Sequence, residues 1–115
     1  MTLRRSFVSL TDMNENIVRC QKLLEQFPEN ELARFSLGKA FFDSGDFALA
    51  KKQFELALVR KPDWMVAQIL MGKCELALGH MSEAKISFEQ ARQLAAAQDH
   101  KGPLAEMEQA LAELI

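Results

Sequence analysis

The sequence predicts an all-α fold built from antiparallel helix hairpins, and three observations support this prediction. The segment from 28 to 61 aligns without a gap to the segment from 62 to 95, and ten residues are identical. Within each segment the apolar residues recur at steps of three and four, which is the spacing of a helix with one buried face. Single glycines divide each segment into two helical halves. A repeat of 34 residues is typical of a stacked array of helices.

Each repeated segment contains two glycines, for which we predict different roles. Gly45 and Gly79 stand between two helical runs, where a turn requires backbone freedom. Gly38 and Gly72 lie inside a helix, where glycine is less stable than alanine by about 1 kcal/mol. We therefore expect Gly38 and Gly72 to permit the close approach of the facing helix. The facing helices offer these small residues: Ala50, Ala57, Ala84 and Ala91.

The two segments resemble the tetratricopeptide repeat (TPR). The residues that match in the first segment are Leu37, Gly38, Phe41, Gly45, Asp46, Ala50, Phe54, Ala57 and Pro62. Those that match in the second are Met71, Gly72, Gly79, Ala84, Phe88 and Ala91. The second segment departs from the family pattern at Gln68, Glu75 and Ala96, where the family usually has Trp, Tyr and Pro. The first segment has Arg34 in place of the Trp.

The resemblance implies one domain over residues 1–115, a short right-handed superhelical array of antiparallel helix hairpins. Two full repeats would occupy 31–64 and 65–98. A half-repeat helix at 11–27 would precede them, and a capping helix at 102–115 would follow.

Both ends of the predicted array leave alternatives open. Asp12 with Glu15 resembles a capping box, which would begin the half-repeat helix. Residues 1–10 would then be a remnant first helix or a disordered arm. The helix at 102–115 is expected to cover the open end of the core, as arrays require. The alternative is that it docks on a partner or forms a dimer.

Composition argues against several classes of protein. The formal net charge of −2 and the pI of about 5.7 argue against a nucleic-acid-binding surface.

Cys20 and Cys74 lie in helical patterns without paired spacing, which favours buried thiols in a reducing compartment. Arg4 and Arg5 resemble part of a twin-arginine export signal, but the polar segment at 11–19 follows where an apolar stretch is needed. We therefore expect a cytoplasmic protein without a membrane segment.

The sequence shows no constellation that indicates catalysis, a metal or a cofactor. The Gly-Lys pairs at Gly38 and Gly72 lack the other residues of a phosphate-binding loop. His80 and His100 lie in separate predicted loops without a ligand partner at metal-binding spacing. We therefore expect a protein that is not an enzyme and has no cofactor.

In TPR proteins the first helix of each repeat lines a concave groove, which binds peptides or helices. Carried over by position, the groove residues of the first repeat are Leu32, Phe35, Lys39, Phe42 and Asp43. Those of the second repeat are Val66, Ile69, Lys73, Leu76 and Ala77. The resemblance thus implies a protein-interaction module that binds an amphipathic or acidic-apolar segment of a partner protein, with the two lysines flanking the ligand.

Several alternatives to this groove stay open at the level of sequence. Its apolar residues could be core, covered by residues 1–10 or by the last helix, with Lys39 and Lys73 as ordinary surface charges. The chain could instead be a structural homodimer that buries the groove or the terminal helix. Trp64 is favoured as a packed aromatic between repeats. The family's carboxylate clamp is not reproduced by Phe35, Lys39, Val66 and Leu70, so capture of an acidic C-terminus is not expected.

Overall fold

The computed structural model describes the backbone of residues 2–114 and the side chains of residues 14–114. This part of the chain forms six α-helices and no strands. Each helix packs against the helix that follows it in the chain. The helices are α1 (Thr2–Gln26), α2 (Glu31–Asp43), α3 (Phe47–Arg60), α4 (Met65–Ala77), α5 (Met81–Ala97) and α6 (Lys101–Glu113). The predicted all-α array of helix hairpins is confirmed.

Helix α1 is longer than the half-repeat helix at 11–27. It begins at Thr2, so Asp12 and Glu15 lie within the helix and do not form the capping box that would begin it. Residues 2–10 continue the same helix and form neither a separate first helix nor a disordered arm. No glycine or proline stands between residues 2 and 26, so nothing in the backbone chemistry interrupts helix propagation there.

The first core cluster joins α1, α2, α3 and α4. Its centre is Phe54 of α3, whose side chain is fully buried. The other buried members are Cys20, Leu37, Phe41, Ala50, Ala67, Leu70 and Cys74. Burial of a phenylalanine of this kind contributes about 1.5–3 kcal/mol relative to an exposed one.

The second core cluster joins α4, α5 and α6. Met107 of α6 is buried within it, together with Phe88 of α5 and Met65 of α4. Helix α6 begins at Lys101, so Pro103 is its third residue and not its first. The last helix thus packs its apolar stripe against the second hairpin.

Gly38 and Gly72 permit a close approach between the two helices of a hairpin, as predicted. A Cβ atom on Gly38 would lie 2.8 Å from Cε1 of Phe54, and one on Gly72 would lie 2.6 Å from Cε1 of Phe88. The closest atoms across the hairpin therefore belong to buried phenylalanine rings and not to the alanines of the facing helix.

Three helices end in the same type of turn. Gly45 and Gly79, which follow α2 and α4, have φ angles of +86° and +82°. Asp99, which follows α5, has a φ angle of +56°. In each turn the next N–H donates to a carbonyl five residues earlier, as from His80 to Glu75. This is the Schellman arrangement, which favours glycine at the position with positive φ.

Candidate functional site

The large apolar side chains of the predicted groove divide by exposure into three groups, of which the first is open to solvent. Leu32 is 65% exposed, Val66 is 45% exposed and Leu76 is 40% exposed. Leu32 and Val66 occupy equivalent positions at the beginning of α2 and α4, while Leu76 lies near the end of α4. We name these three side chains the α2–α4 surface.

The second group consists of two partly buried rings. Phe35 stacks on Trp64, with their ring centroids 4.6 Å apart, and lies 5.7 Å from the ring of Phe54. Trp64 therefore packs against α2 as an aromatic contact between consecutive repeats. Phe42 meets Phe47 edge-on at 5.5 Å, across the turn of the first hairpin. Both groove phenylalanines therefore contribute part of their surface to the first core cluster.

The third group is Ile69, which is only 8% exposed. It belongs to the second core cluster, together with Met107 of α6. Ile69 therefore presents little side-chain surface to a partner. At this position the structure agrees with the alternative in which an apolar groove residue belongs to the core.

The charged groove positions form ion pairs within the chain. Nζ of Lys39 lies 2.7 Å from a carboxylate oxygen of Asp43, one helical turn further on. Nζ of Lys73 lies 3.2 Å from a carboxylate oxygen of Glu106 on α6. All four side chains are exposed, as is Ala77. Exposed pairs of this kind contribute about 0–1 kcal/mol, so a partner could exchange them at little cost.

A buried polar network, which the sequence reading missed, joins α3, α4 and α5. Glu75 is buried and accepts a hydrogen bond from the hydroxyl group of Ser87. Nζ of Lys51 lies 3.8 Å from Glu75 and 2.9 Å from Glu83. The hydrogen bond to Glu83 raises the pKa of Lys51, and the same bond lowers the pKa of Glu83. The signal for this network was the departure from the family pattern at Glu75.

A cleft lies between α3 and α5, with α4 as its floor. Its volume is about 620 Å³. We name it the α3–α5 cleft. Its lining residues are Glu55, Leu58, Val59, Pro62, Gln68, Met71, Gln90, Gln93, Leu94 and Ala97. None of these residues was among the predicted groove positions, so the cleft is distinct from the predicted groove.

Neither cysteine is placed for thiol chemistry. Cys20 and Cys74 are free and buried. Burial raises the pKa of Cys74 to about 11 and also raises the pKa of Cys20. A thiol with a raised pKa is a poor nucleophile at neutral pH, because the thiolate is the reactive form.

Two further observations apply to the part of the chain that the structure describes. Within it, no group of three or more His, Cys, Asp or Glu side chains is placed to hold a metal ion. None of its helices combines the length and the hydropathy needed to cross a bilayer.

Two solved structures show the same fold at low sequence identity. PcrH from Pseudomonas aeruginosa, solved with the chaperone binding region of PopD, superposes with a TM-score of 0.84 at 20% identity. The match covers 98% of this chain and 86% of PcrH. The TPR2B domain of yeast Sti1, in a complex with pHsp70, superposes with a TM-score of 0.81 at 15% identity. That match covers 96% of this chain and 88% of the Sti1 domain chain.

Sequence comparison identifies the family. Comparison with protein-family models gives no match. The chain is, however, 33% identical over 88 residues to a TPR repeat-containing protein from Pseudomonas aeruginosa. This alignment covers 76% of the chain and 82% of the relative. Together with the two repeats and their hairpin geometry, this similarity shows that the chain belongs to the tetratricopeptide repeat family.

Proposed function

We propose that the chain is a protein-interaction module, and that the α2–α4 surface binds an amphipathic segment of a partner protein. The observation that carries this proposal is the exposure of Leu32, Val66 and Leu76 on the first helices of consecutive repeats. Single exposed apolar residues are ordinary, but several of them on the first helices of consecutive repeats favour an interaction site. A partner helix that lies across α2 and α4 would bury these side chains against its own apolar face.

The charges around this surface favour apolar recognition over electrostatic recognition. Lys39 and Lys73 each have a carboxylate partner, Asp43 and Glu106 respectively. An acidic partner would have to displace these carboxylates, and the gain from exchanging one exposed ion pair for another is small. We therefore assign the affinity to the apolar side chains and assign the two lysines a secondary role in orienting the partner.

The structural relatives give the proposal independent support. PcrH was solved with the chaperone binding region of PopD, and the Sti1 domain with pHsp70. Each of these TPR-like folds therefore holds a segment of another protein. The proposal for this chain is that its own α2–α4 surface serves the same general purpose for a partner that is still to be identified.

An affinity experiment with paired variants tests the proposal. The immobilised chain would be exposed to an extract of its source cells, beside a Leu32→Glu/Val66→Glu variant. A Leu49→Glu/Ile86→Glu variant is the matched control, because these two apolar residues are similarly exposed but lie on α3 and α5. We expect one partner to be retained by the wild type and by the control, and to be lost by the α2–α4 variant.

Circular dichroism spectra identical to that of the wild type would show that both variants remain folded. A partner that all three proteins retain equally would contradict the proposal. A wild type that elutes as a stable dimer, and a Leu32→Glu/Val66→Glu variant that elutes as a monomer, would instead assign the surface to self-association. Light scattering coupled to gel filtration distinguishes these outcomes.

A further inference from the structure

The α3–α5 cleft has the size and the lining of a binding site. Its volume of about 620 Å³ lies within the range of about 300–1,000 Å³ that is usual for ligand sites. Leu58 and Val59 of α3 form one wall, Leu94 and Ala97 of α5 form the other, and Met71 contributes to the floor. Helices α3 and α5 do not pack extensively against one another, so the cleft between them is open to solvent.

Gln68 on the floor of the cleft has an unmet hydrogen-bonding requirement. Its side chain is 5% exposed, and its Nε2 atom has no hydrogen-bond acceptor among the described residues. A buried amide nitrogen without an acceptor lowers the stability of the fold. Gln68 also lines the cleft. An occupant that brings an acceptor atom to the floor would remove this penalty if the Gln68 amide turns Nε2 out of its buried position and toward the cleft.

The charge of the lining restricts the chemistry of the occupant. Among the described residues, Glu55 is the one acidic side chain that lines the cleft, and no lysine, arginine or histidine lines it. The ion-pair partner of Glu55 is Lys51, which is 3.9 Å away and lies closer to Glu83. The cleft therefore disfavours a carboxylate or phosphate as the acceptor for Gln68, and it favours a neutral carbonyl oxygen next to a basic group.

We propose that the α3–α5 cleft binds a short extended segment of a partner protein. The segment inserts one large apolar side chain between the helices and accepts a hydrogen bond from Gln68 through a main-chain carbonyl. A neighbouring lysine or arginine of the segment meets Glu55. The segment is extended because the carbonyls within a helix already accept bonds from their own helix. This site is separate from the α2–α4 surface, and it stands whether or not that surface binds a partner.

Titration with capped dipeptides, followed by NMR of the ¹⁵N-labelled chain, tests the proposal. The probe is N-acetyl-Phe-Lys-amide, and the matched control is N-acetyl-Phe-Glu-amide. We expect the lysine peptide to bind in the millimolar range, since it makes few contacts. The side-chain amide of Gln68 and the backbone amides around Val59 and Leu94 should shift saturably. The glutamate peptide should bind about five-fold more weakly, because its carboxylate faces Glu55.

Two variants test the roles of the named side chains. Gln68→Leu removes the donor and should weaken binding of the lysine peptide by about five-fold. Glu55→Gln should abolish the preference for the lysine peptide over the glutamate peptide, while the apolar contact is kept. The Leu32→Glu/Val66→Glu variant should bind the lysine peptide as the wild type does. Amide spectra of each free variant would show that it is folded.

Two results would overturn the proposal. One is a wild-type spectrum in which the signals of the cleft do not move, or in which both peptides move them equally. The other is a folded Gln68→Leu variant that binds the lysine peptide as tightly as the wild type does.

Discussion

The ring of Phe88 occupies the space into which a side chain at Gly72 would extend. A Cβ atom on Gly72 would lie 2.6 Å from Cε1 and 2.7 Å from Cδ1 of this ring. Phe88 is buried and has little room to move. We expect Gly72→Ala to lower the free energy of unfolding by about 1–3 kcal/mol through overpacking. This loss should exceed the gain of about 1 kcal/mol that alanine brings to a helix. Urea denaturation measures the difference.

Gly102→Ala is the control for this substitution. Gly102 lies in α6, and apart from its chain neighbours and its own helix backbone no atom lies within 4 Å of the position that its Cβ would take. Pro103 follows Gly102 and disfavours a helical residue with a Cβ atom before it, which offsets the gain from alanine. Gly102→Ala should therefore lower the free energy of unfolding less than Gly72→Ala does. In the Gly72→Ala/Phe88→Leu variant the clash is relieved, so the two changes should be strongly non-additive. A Gly72→Ala variant as stable as the wild type would show that the hairpin is packed less closely than we describe.

The turn after α5 offers a stabilising substitution. Asp99 has a φ angle of +56°, in the place where the other two hairpin turns have Gly45 and Gly79. We expect Asp99→Gly to raise the free energy of unfolding by about 0.5 kcal/mol, because glycine adopts this region without strain. Gly79→Ala should lower it by about 1 kcal/mol for the opposite reason. Thermal denaturation of both variants checks the prediction, and opposite shifts in Tm are required.

Lys51 balances the charge of a buried carboxylate. Removal of the ammonium group by Lys51→Met would leave Glu75 buried, with Ser87 as its remaining hydrogen-bond partner on the described chain. We expect a loss of about 2 kcal/mol at pH 7, since a buried charge without its counter-ion is strongly unfavourable. The control is Lys52→Met, which changes an exposed neighbour and should stay within about 0.5 kcal/mol.

A second variant separates charge balance from packing in this network. Lys51→Met/Glu75→Leu removes both charges and should recover most of the stability lost in Lys51→Met. Denaturation of all four proteins under the same conditions provides the comparison. If Lys51→Met and Lys52→Met are equally stable, Lys51 does not balance the charge of Glu75.

The raised pKa of Cys74 predicts a loss of stability at alkaline pH. The thiol ionises near pH 9.0 when the chain is unfolded, but burial holds its pKa at about 11 in the folded state. The contribution of the buried thiol to the free energy of unfolding is therefore fully present below pH 9 and is lost as the pH rises to about 11. A difference of about two units between the unfolded and folded pKa values corresponds to a loss of about 2–3 kcal/mol of stability. Urea denaturation at pH 8 and pH 10.5 should show a larger decrease for the wild type than for Cys74→Ala.

Lys51 contributes to the same alkaline loss, because its pKa is also raised by its bond to Glu83. That contribution is present below about pH 10.5 and is lost at higher pH. It is common to the wild type and to Cys74→Ala, so the difference between the two proteins isolates the thiol. If the free energy of unfolding falls equally with pH in the wild type and in Cys74→Ala, Cys74 ionises as readily in the folded chain as in the unfolded one.

The repeated features of the fold could be predicted from the sequence. The 34-residue alignment places the hairpins, and the two pairs of glycines identify the turns and the close contacts. The hairpins, turns and close contacts involve residues that are near each other in the chain or that recur 34 residues later, so the sequence pattern reveals them. The predicted start of the first helix was wrong, because Asp12 and Glu15 lie within α1 and not at its N-cap. With no helix-breaking residue upstream, the helix continues to Thr2.

The exposure of the candidate groove residues could be predicted only in part. Leu32 and Val66 are open as the family pattern implies, but Ile69 is buried in the cluster that includes Met107 of α6. Helix α6 lies outside the repeat alignment, so its packing cannot be read from that pattern. Gln68 and Glu75 were visible as departures from the family, but the groups around them come from other helices.

Titration of the ¹⁵N-labelled chain with the segment of the captured partner tests the central claim most directly. We expect the amide signals of α2 and α4 around Leu32 and Val66 to shift or broaden. The Leu32→Glu/Val66→Glu variant should lose these changes and keep its fold. Changes confined to α3 and α5, or binding that survives in the folded variant, would contradict the assignment of function to the α2–α4 surface.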